Sequence, residues 1–353
     1  MTVFLIDLEA VETRYTGQWK GHIPSLLKEN GYDVHVISGP SDIPPATTPG
    51  AFLNFGGTNI YKARQVEQIG RLFTDGIVKA EDSFLFTDAW HPGIINLRYM
   101  SSLLNIPVKI HALWHAGSYD PQDFLGRLIG DAPWVRYAEK SFYECIDFNY
   151  FATDFHIRMF FKNLFGVTVI GGGNFKEKVV QSGWPMEYMA DILAPYKHLQ
   201  KRDLILFPHR IAPEKQVEIF RDLATLLPQY EFVVCQDKEL TKHEYHTLLG
   251  EAKLVFSANL QETLGISMYE GALVNAIPMV PDRLSYIEMF DSAWTYPSKW
   301  TESYDQYNVN KHKLALSIED FMINYDQYAK LLPAQADKLT SNFFSSNNIL
   351  KNL

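Results

Sequence analysis

Short apolar runs alternate with amphipathic stretches along the chain, and this alternation predicts repeated strand–helix units. Such units build parallel sheets, because consecutive parallel strands need a crossover connection between them. In the first half, the runs that predict strands are TVFLID, YDVHVIS, AFLNFG, SFLFTD, VKIHALWH and VTVIGG. The stretches that predict helices there are 22–30, 62–73, 94–104 and 155–164. The expected fold class is therefore α/β.

In the second half, after a polar segment, the same alternation of predicted strands and helices begins again. Its predicted strands are DLILFP, EFVVC, KLVFSA and IPMV, and its predicted helices are 213–227 and 264–274. We therefore predict an N-terminal domain and a C-terminal domain joined by the polar segment, with a last helix and tail that can pack back on the first domain. The predicted limits are 1–173 for the N-terminal domain, 174–202 for the polar linker, 203–330 for the C-terminal domain and 331–353 for the last helix and tail.

Two open doubly wound sheets in tandem would leave a cleft between them. Ligands of such sheets bind beyond the carboxyl ends of the strands. The loops that follow the strands are therefore where we expect the chemistry.

Composition narrows the class of protein. With 353 residues, 46% of them hydrophobic, the chain can bury a large core, and its length favours two domains. The net charge is −9 and neither half is basic, which argues against bulk-charge binding of nucleic acid but leaves a local basic groove open.

Only Cys145 and Cys235 occur, too few for a disulfide framework or zinc cluster, which fits a reducing, cytoplasmic setting. The start MTVFLIDLEA reads as a strand rather than a signal peptide, and no apolar run approaches the roughly 18 to 20 residues of a transmembrane helix, so we expect no membrane insertion.

The loop FPHRIAPEKQVEIF follows a predicted strand and opens a predicted helix. Free backbone N–H groups and the positive end of the helix dipole meet at such a point. Arg210 and Lys215, five positions apart, would there suit a diphosphate. The alternative is a surface loop with solvated charges, in which Lys215 pairs with Glu214 or Glu218.

The stretch LQETLGISMYEG carries two carboxylates in an apolar run. Thr263, Leu264 and Gly265 lie where a helix starts, so their amides face an anion, and Gly265 would let a ligand approach the backbone. Glu262 lies in the loop, and Glu270 lies about two turns into the helix, where a carboxylate is costly unless it is hydrogen-bonded. Sugar hydroxyls suit such carboxylates. In the alternative, Glu262 only complements the helix dipole and Glu270 sits half-exposed on the helix flank.

Together the two motifs resemble the donor-binding half of retaining GT-B glycosyltransferases of the family-four type. That family has G-R-L-x-x-E-K-G and then E-G-x-G-x-x-x-x-E-A, and this chain has H-R-I-A-P-E-K-Q and then E-T-L-G-I-S-M-Y-E-G. The resemblance covers roughly residues 203–290, and three family glycines are replaced by His209, Gln216 and Thr263. It implies the GT-B fold, with two Rossmann-like doubly wound parallel-sheet domains facing a central cleft.

The resemblance also implies a role for each matching residue. The residues that would contact the donor diphosphate are Arg210, Lys215, Thr263, Leu264 and Gly265. Glu262 would take hydroxyls of the transferred sugar, and Glu270 would take the ribose hydroxyls. The co-substrate would be a nucleotide diphosphate sugar, with UDP as the expected nucleotide, and no metal or other cofactor is expected.

The first half agrees with this family less closely. IPVKIHALWHAGSYD resembles the family's strand that ends in a His–Gly or His–Asp pair, which would place His115 near the anomeric carbon. A structural role is the alternative for a lone histidine. RYTGQWKGHIP would fill the glycine-rich loop after the first strand, where Gly17, Lys20 and Gly21 would face the donor phosphates or the acceptor.

A second resemblance concerns the acceptor. FLNFGGTN and SFLFTDAW are similar to stretches of phage DNA β-glucosyltransferases, which modify hydroxymethylcytosine, and the chain as a whole resembles phage proteins. Asp88 would then be the base of an inverting mechanism, the competitor of the retaining one. The alternative is that Asp88 is an ordinary strand-end acid or helix cap.

These observations predict a hexosyl- or pentosyltransferase that moves a sugar from a nucleotide diphosphate sugar to a hydroxyl. Positive charge at Arg210 and Lys215 would stabilise the leaving diphosphate. The preferred acceptor is 5-hydroxymethylcytosine in double-stranded phage DNA, modified in the host cytoplasm. The alternatives are a cell-surface glycan or lipid-linked acceptor, and a GT-B-shaped sugar-nucleotide epimerase or binding protein. The sequence leaves the sugar, the stereochemical outcome and the oligomeric state open.

Overall fold

The computed structural model describes residues 2–11, 15–43, 54–168 and 177–353. The chain forms two compact units, each with its own parallel sheet. The first unit contains Met1–Ala152, His156–Ser182 and Asn347–Leu353, and the second contains Thr153–Phe155 and Gly183–Ser346. The domain limits derived from the sequence, including the linker over 174–202, stay a prediction.

Among its described residues, the first unit has six parallel strands. They are β1 (Thr2–Ile6), β2 (Asp33–Ile37), β3 (Ser83–Phe86), β4 (Lys109–Trp114), β5 (Phe148–Phe151) and β6 (Val179–Gln181). The strand order is β2-β1-β3-β4-β5-β6, so β1, β3 and β4 are neighbours. Phe4 on β1 and Phe84 on β3 are almost completely buried, because helices cover both faces of a parallel sheet.

Helices connect these strands. They are α1 (Tyr15–Glu29), α2 (Phe55–Thr74), α3 (Gly93–Leu103), α4 (Phe124–Ile129), α5 (Pro133–Cys145) and α6 (Asp154–Phe160), which a π-helical turn over Phe161–Phe165 continues. No helix within the described ranges combines the length and the apolar character that crossing a membrane requires.

The second unit has five parallel strands among the residues described. They are β7 (Arg202–Phe207), β8 (Glu231–Val234), β9 (Ala252–Phe256), β10 (Ile277–Pro281) and β11 (Thr295–Tyr296), in the order β11-β10-β9-β7-β8. Its helices are α7 (Tyr188–Leu193), α8 (Val217–Leu226), α9 (Lys242–Glu251), α10 (Ile266–Leu273), α11 (Tyr286–Met289), α12 (Tyr304–Ile323), α13 (Tyr325–Ala329) and α14 (Leu332–Phe343). Because β7 and β9 are neighbours, the loops after them start side by side.

The chain returns to the first unit at its last helix, α15 (Asn347–Leu350). The Tyr32 hydroxyl donates to the Leu350 carbonyl at 3.0 Å, and the Asn348 amide donates to the Gln181 carbonyl at 3.0 Å. Helix α14 belongs to the second unit and α15 to the first.

The predicted loop over RYTGQWKGHIP is wrong where the structure describes it. Helix α1 begins at Tyr15 and runs through Pro24, and its buried face carries Trp19, Ile23 and Leu27 at four-residue spacing. Burial of that face outweighs the low helix propensity of the two glycines in the segment.

The predicted strand AFLNFG is wrong over its described residues, 54–56. The Asn54 side chain accepts the Gly57 amide at 2.9 Å and caps α2, which begins at Phe55. Positions 51–53 lie outside the described residues, as does most of the predicted strand VTVIGG. Strand β6 lies within the segment 174–202, which the sequence analysis assigns to the linker. The other predicted strands are confirmed.

The predicted helix over 213–227 is interrupted. A 3-10 turn over Pro213–Lys215 is followed by Gln216 with φ of 53°, and α8 begins only afterwards. The Gln216 side-chain amide donates to the Ala258 and Thr301 carbonyls at 2.6 and 2.7 Å. These two bonds hold a non-glycine residue in a left-handed conformation that glycine adopts more easily.

Candidate functional site

In the second unit, the loop after β7 presents the two cations of the first motif. Arg210 pairs with Glu214 at 2.5 Å. Lys215, which is buried, donates to the Gln261 carbonyl at 2.6 Å and lies 3.4 Å from a carboxylate oxygen of Glu262. The pairing of Lys215 with Glu214 or Glu218, considered from the sequence, is therefore not the one observed.

Glu262 joins this loop to the loop after β9. Its Oε2 accepts from the Asn259 amide at 3.2 Å and from Lys215, and its Oε1 lies 3.4 Å from the backbone amide of Leu264. The Glu262 carboxylate therefore lies against the Leu264 backbone amide, which is one of the amides predicted from the sequence to bind phosphate. An incoming anion would compete with Glu262 for Lys215 and for that amide.

The start of α10 is shaped by packing. Gly265 precedes the helix, and a Cβ there would lie 2.7 Å from the Tyr286 ring. The ring is therefore enough to require glycine at this position. The Thr263 carbonyl accepts from the Thr153 hydroxyl at 2.9 Å. Binding of phosphate by the amides of Thr263, Leu264 and Gly265 stays a prediction.

Glu270 lies on α10 and has a different partner. The Tyr245 hydroxyl of α9 donates to Glu270 Oε2 at 2.7 Å. Burial raises the pKa of Glu270 to about 7, although the bond from Tyr245 and the charge of Lys242 lower it. Near pH 7 this carboxyl can therefore accept hydroxyls as an anion or hold a proton.

His209 and Asn259 lie beside these groups and were missed from the sequence. Asn259 is fully buried and His209 nearly so, and the two side chains approach to 3.5 Å. Burial, with the charge of Lys215, holds the pKa of His209 well below its usual range. The available signal was the replacement of a family glycine by His209 immediately before Arg210.

In the first unit, the ends of β3 and β4 bring Asp88 and His115 close together. Asp88 Oδ2 lies 3.3 Å from Lys62 Nζ, and Oδ1 accepts the Trp90 backbone amide at 3.0 Å. This bond lies in the turn before α3, whose N-cap is Pro92, so Asp88 is a strand-end acid and not a helix cap. Burial alone would raise the pKa of Asp88, but the charges of Lys62 and His115 and the bond from Trp90 lower it. Asp88 is consequently a carboxylate at neutral pH.

His115 is held at both ring nitrogens. Nε2 lies 2.6 Å from the Thr87 carbonyl, which can only accept, so Nε2 carries a proton. Nδ1 lies 2.6 Å from the Tyr15 hydroxyl. In the neutral ring, Nδ1 therefore accepts from Tyr15. A direct contact of His115 with a donor sugar stays a prediction.

Lys20 points back to the end of β1. Its Nζ lies 3.7 Å from Asp7 and 3.5 Å from the Tyr61 hydroxyl. Gly17 and Gly21 lie with it on α1 rather than in a loop, and a Cβ at Gly21 would meet nothing within 4 Å. The roles of these three residues toward phosphate or acceptor stay predictions.

The buried polar side chains of α2 were also missed from the sequence. Lys62 donates to Asp88, and Gln65 donates to the Asp7 carbonyl at 2.9 Å. The signal was a pair of polar residues at positions that share the buried helix face with Ile69. No three His, Cys, Asp or Glu side chains in the described part of the chain lie together as a metal ion would require.

Comparisons with known proteins bear on the fold. No family model and no curated protein matches the chain. It is similar to α,α-trehalose-phosphate synthase (UDP-forming) from Burkholderia vietnamiensis, with 10% identity, a TM-score of 0.60 and 100% of both chains covered. It is also similar to sucrose-phosphate synthase from Thermosynechococcus elongatus, with 11% identity, a TM-score of 0.59, and 99% of this chain and 96% of that one covered.

A third similar structure is the pneumococcal O-GlcNAc transferase GtfA in complex with UDP and GlcNAc, with 12% identity and a TM-score of 0.51. The match covers 82% of this chain and spans 58% of GtfA. With the two parallel sheets, these similarities show that the chain has the GT-B fold, so the fold predicted from the sequence is confirmed.

Proposed function

We propose that the protein transfers a sugar from a nucleotide diphosphate sugar to a hydroxyl acceptor. The observation that carries this proposal is the contact between Lys215 and Glu262, which joins the two motif loops at the carboxyl ends of neighbouring strands. That edge is where parallel α/β sheets bind ligands. UDP is the proposed nucleotide, supported by similarity to a UDP-forming synthase and to a transferase that holds UDP.

Charge at this edge would stabilise the leaving diphosphate. Lys215 already gives one hydrogen bond to a carbonyl and faces Glu262, so a phosphate would take over its contact with the carboxylate. Arg210 would turn from Glu214 in the same way. Fixed cations that meet developing negative charge are a main source of rate enhancement.

The two carboxylates of the second motif would then bind hydroxyls. Glu262, released by Lys215, would accept from the transferred sugar while the Asn259 amide still holds its Oε2. Glu270 would accept from the ribose, with the Tyr245 hydroxyl fixing one carboxylate oxygen. A carboxylate keeps lone pairs for such additional donors.

The test of the donor site is Arg210→Ala combined with Lys215→Ala. Since each charge-assisted hydrogen bond contributes about 1.5–3 kcal/mol, UDP affinity measured by calorimetry should fall on the order of 100-fold or more. The matched control is Arg221→Ala with Lys253→Ala, two cations of the same unit in ion pairs with Asp residues. Equal UDP affinity in the double variant and the wild type would refute the donor assignment.

The acceptor that we propose is 5-hydroxymethylcytosine in DNA, with the host cytoplasm as the setting. Its support is the FTD segment, because Asp88 is a carboxylate at a strand end beside His115. Such a group can accept the proton of a hydroxyl nucleophile. The acidic net charge of −9 weighs against it.

Mass spectrometry of plain and hydroxymethylated DNA, incubated with a panel of nucleotide sugars, tests the acceptor. A sugar-sized mass gain on the hydroxymethylated DNA alone is expected. Gain on neither DNA would refute this acceptor, and interconversion of the nucleotide sugar would indicate an epimerase. If Asp88 is the base, Asp88→Asn should abolish transfer while leaving UDP affinity unchanged.

A further inference from the structure

The hydrogen-bonding state of His209 follows from its neighbours. Its Nδ1 lies 3.5 Å from the side-chain amide of Asn259 and 3.5 Å from the Ser267 hydroxyl. An amide nitrogen presents only hydrogens to its neighbours, so a proton on Nδ1 would be directed at them, and Nδ1 is the unprotonated nitrogen, which can accept from the Ser267 hydroxyl. The neutral ring consequently carries its proton on Nε2.

The side-chain amide of Asn259 is also fixed in orientation. Its nitrogen donates to Glu262 Oε2 at 3.2 Å and lies 3.1 Å from the Tyr286 hydroxyl. Exchanging the amide nitrogen and oxygen would set an oxygen against a carboxylate, so the assigned orientation stands. Asn259 Oδ1 is therefore an acceptor directed away from Glu262.

Both remaining atoms are buried and unsatisfied. His209 Nε2 and Asn259 Oδ1 have no hydrogen-bond partner among the residues that the structure describes. Buried polar groups are nearly always paired, because an unpaired one loses the hydrogen bond it would make to water. Two such groups, one donor and one acceptor, lie on touching side chains next to Lys215 and Glu262.

We propose that His209 and Asn259 bind a hydroxyl of the transferred sugar, with His209 Nε2 donating to it and Asn259 Oδ1 accepting from it. This inference rests on the proposed donor function. Of the polar groups around a diphosphate linkage, a phosphate oxygen only accepts, whereas a sugar hydroxyl both donates and accepts. Asn259 also holds Glu262, the carboxylate assigned to the sugar, which favours the sugar over the nucleobase.

The assignment also restricts the substrate. The transferred unit would be a neutral sugar with a free hydroxyl at the position that meets this pair, and a deoxy analogue would leave both groups unpaired. A site built to hydrogen-bond a hydroxyl rejects an analogue that lacks it much more strongly than an apolar pocket would. Because both atoms are covered in this structure, the side chains must shift to admit the hydroxyl.

The test compares UDP with UDP-glucose in the wild type and in His209→Phe, by isothermal titration calorimetry. The phenyl ring keeps the shape of the side chain but removes the donor. The affinity for UDP should change less than about 3-fold, while the preference for UDP-glucose over UDP should fall about 10-fold, the effect of losing one buried hydrogen bond. Ser285→Ala is the matched control, since Ser285 Oγ is another buried atom without a described partner in the same unit. It should leave the preference unchanged.

Each outcome decides between the proposals. A wild type that binds neither UDP nor UDP-glucose would overturn the donor function and this inference together. An unchanged preference in His209→Phe, or equal loss for both ligands, would overturn this inference alone. A wild type that binds UDP-glucose no more tightly than UDP would overturn this inference together with the assignment of Glu262 to the sugar, while leaving the binding of the nucleotide diphosphate in place.

A second measurement on the wild type covers the case in which His209→Phe does not fold. Monodeoxy analogues of UDP-glucose should include one that binds at least 10-fold more weakly than UDP-glucose. Equal affinity for every analogue would overturn the inference.

Discussion

Replacing Glu270 by Gln is expected to stabilise the second unit above pH 7 and to weaken donor binding. Burial disfavours the ionised form of Glu270 and raises its pKa from 4.5 to about 7. Gln has nearly the same shape and still offers an oxygen to the Tyr245 hydroxyl, but it carries no charge to desolvate. Its amide would make poorer hydrogen bonds to ribose hydroxyls than a carboxylate does.

The magnitude follows from the difference between the two pKa values. An acid whose pKa is raised by folding holds its proton better in the folded state, so its favourable contribution is complete below pH 4.5 and is lost as the pH rises through 7. With 4.5 for the unfolded chain and about 7 for the folded one, the loss between pH 5 and pH 8 is about 2.5 kcal/mol. For a unit of roughly 170 residues this corresponds to a Tm change of about 5–10 °C.

Differential scanning calorimetry at pH 5 and pH 8 measures this effect. Between pH 5 and pH 8, the Tm of the wild type should fall by about 5–10 °C more than the Tm of Glu270→Gln does. UDP affinity of the variant at pH 8 should fall about 10-fold, the effect of one charge-assisted hydrogen bond. Glu218→Gln, at an exposed position on α8, is the control and should track the wild type. If the Tm difference between Glu270→Gln and the wild type is the same at both pH values, the buried-charge reasoning is wrong.

Three further predictions concern the same sites. Tyr245→Phe removes a hydrogen bond that lowers the pKa of Glu270, so calorimetry across a pH series should show the fall in Tm at higher pH, and an unchanged profile would contradict this. Lys62→Met leaves the Asp88 carboxylate without its cation and should reduce the free energy of unfolding by about 3 kcal/mol, whereas adding Asp88→Asn should restore most of it; additive losses in denaturant titrations would speak against the pairing. Gln216→Ala gives up two hydrogen bonds to buried carbonyls and should lose about 2 kcal/mol, and Gln216→Gly should lose less, because glycine takes the left-handed conformation without strain; the reverse order in urea titrations would refute that account.

The sequence alone identifies most of the strands because buried parallel strands are continuous apolar runs bounded by polar or turn residues. SFLFTD and DLILFP are examples, and β3 and β7 lie within them. AFLNFG has the same character, yet Asn54 caps a helix within it. A short apolar run has no period that separates a strand from the start of a helix.

The sequence likewise predicts some of the candidate site residues but not the side chains that contact them. The motif spacing leads to Arg210, Lys215, Glu262 and Glu270, because loops after neighbouring strands of a parallel sheet must meet. Their partners are not readable from local spacing. Tyr245 reaches Glu270 from another helix of the fold, and Lys62 reaches Asp88 in the same manner. Such contacts depend on side-chain placement across elements, which one sequence does not encode in its local pattern.

Because the last part of the first unit follows the second unit in the sequence, the ribosome completes the first unit only after it has made the second. The first unit is interrupted after Ser182 and resumes at Asn347, once the whole of the second unit's long segment has been made. A ribosome adding about 5–20 residues per second needs roughly 10–30 s for that interval. During this time the nascent first unit lacks the acceptor for the Tyr32 hydroxyl, and β6 lacks its contact from Asn348. Nascent chains arrested before Asn347 should therefore expose this part of the first sheet to protease, whereas released chains that contain Asn347–Leu353 should protect it.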